Sequence, residues 1–360
     1  MNAQAQPDSD LARSVAAGEK QIPRSARNDM AMGSSVQPLI KRVLFRGERL
    51  HMRDEQYRGA VAALIDPLLW LDAGGGDLTA EVLGLAEGRA SAQVLAKEPG
   101  VAAGIEEFTW LLTRGDIAVK PLKTDGAALE RGDVLAEMEG QRGSLLSCER
   151  TVLNLLQRMS GIATMTHRLQ EQVQRRNPQT FVVATRKTPW GLLDKRAVHL
   201  GGGGTHRLGL GDAILVKNNH LALLAAREEE AVGLAIERAW AFRDQAAFIE
   251  IEVRGAESAV AAAQSFRRLR EKDSSFDVRP EVRATSCPCL LLLDNMSPER
   301  VRGTLRALEA ENLREEVLVE VSGTITESNL DEYAACGADA LSMGALTHSP
   351  RALDLSLRIF

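Results

Sequence analysis

Three short segments concentrate the residues most suited to chemistry: 185–191 (Thr-Arg-Lys-Thr-Pro-Trp-Gly), 201–207 (four glycines, then Thr205, His206 and Arg207) and 217–220 (Lys217, Asn218, Asn219, His220). Between Arg186 and His220 the chain carries six Lys/Arg against two Asp, although its formal net charge is −5. Three of its six histidines fall in the same window. Like charges held close repel, so cations gathered around glycine turns imply an anionic ligand. A small, flexible polyanion fits best.

The elements that must position these groups follow from the apolar rhythm. Short runs recur at 181–184, 213–216, 248–253, 290–293, 317–321 and 340–343, with helix-like stretches between them at 258–270, 298–309 and 327–336. Alternation of strand and helix predicts βα units around a parallel sheet. The runs are apolar on both faces, as strands covered on both sides should be. Charged or glycine residues follow each run in turn: Arg186 and Lys187, Lys217, Asp294 with Asn295, Ser322 with Gly323, and Gly344. The third run carries Glu250 and Glu252 within it, on one face by the strand period. The C-terminal ends of successive strands are where an α/β barrel builds its site.

The chain before the barrel reads differently. Residues 1–36 lack an apolar stretch and read as a disordered tail. Residues 37–150 open on helix-like sequence (39–44, 56–69) and continue as strands at 92–96, 117–122 and 134–138, an α+β sandwich-like domain. An amphipathic helix from Cys148 to about residue 174 then leads into a barrel spanning 151–349. The C-terminal residues 350–360 are expected to pack back on the N-terminal domain, and 271–288 to form a polar surface excursion.

Composition sets the outer limits. At 44% hydrophobic and 26% charged the chain is of soluble globular type, and its negative net charge argues against a general nucleic-acid surface. No run approaches the length of a membrane span. Four cysteines, with Cys287-Pro-Cys289 isolated, give no repeated metal spacing and no disulfide framework, so a cytoplasmic location is expected.

Taken in order, the motifs at 149–154 (Glu-Arg-Thr-Val-Leu-Asn), 160–164, 185–188, 201–207, 217–220, 250–253, 293–295, 321–323 and 342–349 resemble those of quinolinate phosphoribosyltransferase. The resemblance runs from about Leu39 to the C-terminus. It implies an incomplete parallel α/β barrel preceded by the N-terminal domain, the type II phosphoribosyltransferase fold. It also implies a homodimer, or a higher oligomer built from it, whose sites are shared between subunits. The implied reaction joins quinolinate to phosphoribosyl pyrophosphate with Mg²⁺, giving nicotinate mononucleotide, pyrophosphate and CO₂ on the way to NAD.

The resemblance also assigns roles. Arg150, Arg186, His206 and Arg207 would grip the two quinolinate carboxylates, with Lys187 and Lys217 bridging toward the phosphoribosyl group. Arginine suits carboxylate because its fork donates two parallel hydrogen bonds. Glu252 and Asp294 would meet ribose hydroxyls and positive charge at the anomeric carbon, touching Mg²⁺ only through water; no direct protein ligand to the metal is expected. Ser322 with Gly323, and Gly344, would offer backbone N–H groups near helix starts to the 5′-phosphate. Lys187, Lys217, Glu252 and Asp294 form the catalytic set. The sequence departs from the family pattern at Asn218, where aspartate is common, at Thr205 and at Trp190.

Two other readings carry their own signatures. A phosphoribosyltransferase-like protein of molybdenum metabolism, with the same fold, would lack the lysine and histidine that stand here as Lys217 and His220. A non-catalytic barrel sensing phosphorylated metabolites would need the phosphate-side glycines and not the strand-end charges.

Overall fold

The computed structural model describes residues 36–273 and 287–360. The tail expected at 1–36, save its last residue, and most of the excursion at 271–288 lie outside the described residues.

Six parallel strands form the central sheet: β6 (Phe181–Ala184), β7 (Ile214–Val216), β8 (Ile249–Val253), β9 (Cys289–Asp294), β10 (Leu318–Ser322) and β11 (Ala340–Met343). Their spatial order is β6-β11-β10-β9-β8-β7, so the last strand of the series pairs with the first and the sheet curves into a barrel open between β6 and β7. All six apolar runs became strands. The glycine run partly fills the opening: Gly204 bridges Val183 in parallel, and a Cβ on Gly204 or Gly203 would fall within 2.5 or 2.6 Å of Val183 and Thr166. Glycine is required there by close approach to β6 and to a neighbouring helix, not by flexibility.

The barrel's lower interior is apolar. Phe181, Val183, Phe248, Leu290, Leu318 and Ala340 pack against Ile40, Val43 and Leu44 of α1 (Val36–Leu44), which plugs the N-terminal end. Burying each of these larger side chains is worth roughly 1.5–3 kcal/mol, ample reason for α1 to stay docked.

The N-terminal part holds helices α2 (Glu55–Ala73), α3 (Leu78–Val82) and α4 (Ile105–Thr113). Its antiparallel sheet has the order β12-β1-β5-β3, comprising β1 (Arg89–Ala96), β3 (Ala118–Pro121), β5 (Val134–Gln141) and the C-terminal β12 (Leu355–Ile359); β2 (Gly100–Val101) and β4 (Ala128–Leu129) pair separately. β12 pairs antiparallel with β1, Val94 facing Leu357, so the chain's end closes onto its N-terminal sheet.

Helix α5 (Arg142–Arg176) connects the two sheets. It starts six residues before the expected Cys148, so the division placed at 150/151 falls inside one continuous helix. The reason is tertiary: Leu145, Val152, Leu155, Leu156 and Met159 are all fully buried in a core that spans both sheets. The stretch expected as a helix at 327–336 shortens to Leu330–Ala334.

Candidate active site

The strand ends bring the expected residues together at the C-terminal mouth of the barrel. Arg186 and Lys187 follow β6 and are exposed, as is Lys217 after β7. The loop carrying Lys187 is pinned: Thr347 donates its hydroxyl to Lys187 O at 2.7 Å, and Asp194 accepts from Trp190 N at 2.9 Å. Asp194 is fixed in turn by a two-point ion pair with Arg158 (2.9 and 3.0 Å), whose guanidinium lies 5.1 Å from the Trp190 ring centre. A Cβ on Gly344 would stand 2.9 Å from the Lys187 stem, so glycine keeps that space clear.

At the next strand end, Lys217 N donates to His220 Nδ1 at 2.8 Å, which makes His220 a cap of helix α7 (Asn218–Leu221) and thus an orienting group. Asn218 donates its amide to Glu252. An aspartate there would face Glu252 with like charge, so the departure from the family pattern relieves a repulsion. Glu252 sits on β8 beside Asp294 on β9. Burial first, then the Asp294 charge, pushes the Glu252 carboxyl above the usual range, partly offset by Asn218 and Lys217. Two mutually repelling carboxylates at the mouth are suited to a cationic centre.

Backbone strain collects here. Four described residues other than glycine have positive φ, and three of them, His206, Asn295 and Thr324, lie on mouth loops. Asn295 donates to Asp294 Oδ2 at 2.6 Å and packs where a Gly323 side chain would collide with it. One expectation is corrected: Ser322 and Gly323 do not stand at a helix start, because the chain turns at Thr324 and the next helix begins at Leu330. Gly344 does precede a helix, Ala345–His348, of a single turn.

His206 and Arg207 lie deeper. His206 is 6% exposed, with Nε2 3.0 Å from Glu250 and 3.1 Å from Glu320, and its Nδ1 accepts the Arg207 N–H at 2.8 Å. Burial disfavours the imidazolium, but Glu320 and Glu250 outweigh it and raise the ring to about 9. Glu250 is raised by its own burial and by Glu320. Nδ1 takes the Arg207 amide, so the ring presents its N–H at Nε2, between the two carboxylates. Arg207 is buried too, and its Nε has no hydrogen-bond partner among the described residues.

A family model described as "Quinolinate phosphoribosyl transferase, C-terminal domain" matches residues 162–358, more than half of the chain, and the corresponding N-terminal domain model matches 77–160. The chain belongs to the quinolinate phosphoribosyl transferase family. A probable nicotinate-nucleotide pyrophosphorylase [carboxylating] of Methanothermobacter thermautotrophicus is 36% identical over 301 residues, covering 82% of this chain and 98% of that protein. The nicotinate-nucleotide pyrophosphorylase [carboxylating] of Homo sapiens is 34% identical over 302 residues (83% and 92%). Among solved structures, NadC from Streptococcus pyogenes superposes with a TM-score of 0.69 at 30% identity, covering 83% of this chain and 96% of that one.

Against the family's motif set, the structure divides the cations of the 186–220 window. Arg186, Lys187 and Lys217 reach the mouth and Arg207 lies just beneath it. Arg196 does not join them. It turns away to Glu107 (3.1 Å), Asp125 (3.1 Å) and Glu106 (3.2 Å), so its anions are the protein's own. Lys195 is 1% exposed, and its Nζ donates to Thr205 O at 2.6 Å. Arg150 is exposed on α5, outside the barrel strands and the loops that follow them in sequence. The sequence reading missed Glu320, Lys195, Arg158 and Asp194. Glu320 alone had a visible signal, an acid between apolar residues as at Glu250.

Proposed function

We propose that the chain joins quinolinate to phosphoribosyl pyrophosphate, releasing pyrophosphate and CO₂ and leaving nicotinate mononucleotide. The observation that carries this is the pairing, at one barrel mouth, of Arg186, Lys187, Lys217 and an Arg207 whose Nε has no hydrogen-bond partner among the described residues with the carboxylates Glu252 and Asp294. Such a site matches two polyanions that meet at a centre of developing positive charge. The molybdenum-metabolism reading loses support: Lys217 and His220 are present at α7, and the relatives are named as carboxylating pyrophosphorylases.

The chemistry needs little from side chains beyond placement. The pyridine nitrogen's lone pair attacks the anomeric carbon as the bond to the pyrophosphate oxygen breaks, with Glu252 and Asp294 favouring the positive charge. The ring nitrogen becomes cationic and holds the electron pair left at the neighbouring carbon when CO₂ departs. That carbon then takes a proton. Arg186 and Arg207 hold the two ring carboxylates, Lys187 and Lys217 the phosphoribosyl side, and Gly344 and Ser322–Gly323 the 5′-phosphate. Mg²⁺ would travel with the pyrophosphate group, and Glu252 and Asp294 would meet it through water; it would neutralise the leaving group.

The working unit is a homodimer. Trp70, Leu71, Leu78, Val82 and Leu83 form an apolar face 63–77% exposed on α2 and α3. Asp72, next to that face, lies 3.4 Å from Thr151, the neighbour of Arg150. A second copy covering the face would carry Arg150 into its site. Mixing Arg150→Ala with Lys217→Ala subunits under exchange should then restore about a quarter of native activity, since half the dimers are mixed with one good site of two. Confirmed mixed dimers without activity would show that Arg150 serves its own subunit. A cytoplasmic location is supported by four cysteines that are free and buried; no described helix is long and apolar enough to cross a membrane.

Purified protein incubated with quinolinate, phosphoribosyl pyrophosphate and Mg²⁺ should yield nicotinate mononucleotide with one CO₂ per product. Efficient turnover of nicotinate in place of quinolinate would defeat this reading.

A further inference from the structure

Behind the loop that carries Lys187, side chains with no part in the reaction converge: Arg158 of α5, Asp194, Trp190 and Thr347. We infer that Arg158, Asp194 and Thr347 are positioning residues for Lys187, fixing the backbone of that loop so that the ammonium meets phosphoribosyl pyrophosphate from one place. The inference rests on Lys187 serving the phosphoribosyl side, as proposed above.

The need arises from where Lys187 stands. Strand β6 ends at Ala184, and Lys187 is exposed three residues further along the chain. There the sheet no longer holds the backbone, and a lysine adds a flexible four-carbon stem. A cation on a loose loop loses part of its attraction for phosphate to the entropy of being ordered, and fixing the loop beforehand removes much of that cost. Lys187 N donates to the Thr185 hydroxyl at 3.1 Å, a restraint within the loop. The restraint from outside is the Thr347 hydroxyl, which donates to Lys187 O at 2.7 Å.

Arg158 holds the arrangement together. Its Nε and Nη2 take the two oxygens of Asp194 at 2.9 and 3.0 Å, and Nη2 also donates to Thr347 O at 2.9 Å. Asp194, fully buried, passes the restraint on by accepting from Trp190 N at 2.9 Å. One guanidinium thus braces the loop at two anchor points, through Asp194 at Trp190 and through Thr347 at Lys187. The Trp190 ring lies over it at 5.1 Å, which favours the cation in that place. A lysine at position 158 would carry the charge without the paired donors, because an ammonium is a point charge and not a fork.

Thr347 adds a link to the phosphate end of the mouth. Its helix begins directly after Gly344, and the Lys187 stem lies 2.9 Å from where a Gly344 Cβ would stand. The brace therefore sets Lys187 against the residue proposed for the 5′-phosphate, so two points of one substrate are held in fixed relation. An ion pair that merely joined two helices would account for Arg158 and Asp194. It would not account for Thr347 meeting both Arg158 and Lys187.

A double-mutant cycle on kcat/KM for phosphoribosyl pyrophosphate, at saturating quinolinate, separates the two roles. Lys187→Ala should lower it on the order of a hundredfold and Arg158→Lys about tenfold, with KM for quinolinate within about threefold in both. The double variant should match Lys187→Ala, because Arg158 then has nothing left to position. A double variant worse by the full Arg158→Lys factor would mean that Arg158 acts on the site without Lys187, and the inference fails. It fails equally if Arg158→Lys raises KM for quinolinate as much as KM for phosphoribosyl pyrophosphate, the mark of a general structural role. Should Arg158→Lys not fold, Thr347→Val, which keeps the branched shape and removes the hydroxyl, enters the same cycle with the same expectation. Lys187→Ala with unchanged kcat/KM for phosphoribosyl pyrophosphate would overturn the reading of Lys187, and this inference with it.

Discussion

Two buried charge clusters, at opposite sides of helix α6 (Leu192–Leu200), are built from the same residue types and finished differently. At the joint with the N-terminal part, Arg196 spends its donors on Glu107, Asp125 and Leu50 O, and Tyr57 donates to Glu107 at 2.6 Å. Among the described residues of that cluster, one Glu107 oxygen lacks an aligned hydrogen bond. In the barrel, Arg207 Nε, both Glu250 oxygens and one Glu320 oxygen lack one. Adjacent residues of one helix, Lys195 and Arg196, serve the two clusters. Buried charge that is satisfied locks a joint; buried charge left open awaits a ligand.

The largest effect should come from breaking the closed cluster. Arg196→Met leaves Glu107 and Asp125 buried without their cation, at a cost of about 3–5 kcal/mol in stability. Urea unfolding would measure it, and the folded fraction should keep its quinolinate KM. A variant as stable as wild type would mean that the joint carries no strain-bearing charge. At the open end the pattern reverses. Lys217→Ala or Arg186→Ala should melt near the wild-type temperature yet lose on the order of a hundredfold in kcat/KM, since each leaves substrate charge unpaired. Near-native turnover in either would redraw the mouth.

A pH experiment sharpens the contrast. Glu107 is raised from 4.5 to about 7, by burial first and then by Asp125. Its folded value lies above its unfolded one, so the folded state holds a proton the unfolded state lacks between about pH 4.5 and 7. Stability from this group is full below that window and fades as pH rises through it, by on the order of 3 kcal/mol. Melting temperatures across the window should slope downward in wild type and flatten in Glu107→Gln; parallel curves would remove Glu107 as the source. The smallest effect is expected from Asn218→Asp. Like charge against Glu252 should raise KM for phosphoribosyl pyrophosphate a fewfold, roughly 1 kcal/mol or less, and an unchanged KM would show that Glu252 is already screened.

Much of the mouth was legible because strand ends are local features. Arg186, Lys187, Lys217, Asp294 and Gly344 each lie within three residues after an apolar run, and all six runs became strands. The helix boundaries at 142 and 330 were less legible, since burial across both sheets extends one and the turn at Thr324 delays the other. Reading Ser322 and Gly323 as a helix start failed for that second reason.

By itself the sequence determined the barrel's strand series, the charges at its strand ends and the family, because alternation and motif order need no long-range contact. Only the tertiary structure decided which charges face a ligand. Arg196 meets Glu107 across 89 residues of chain, and His206 meets Glu320 from another strand of the barrel. A cation's partner is set by whatever the fold brings within about 4 Å, and spacing along the chain does not encode that distance.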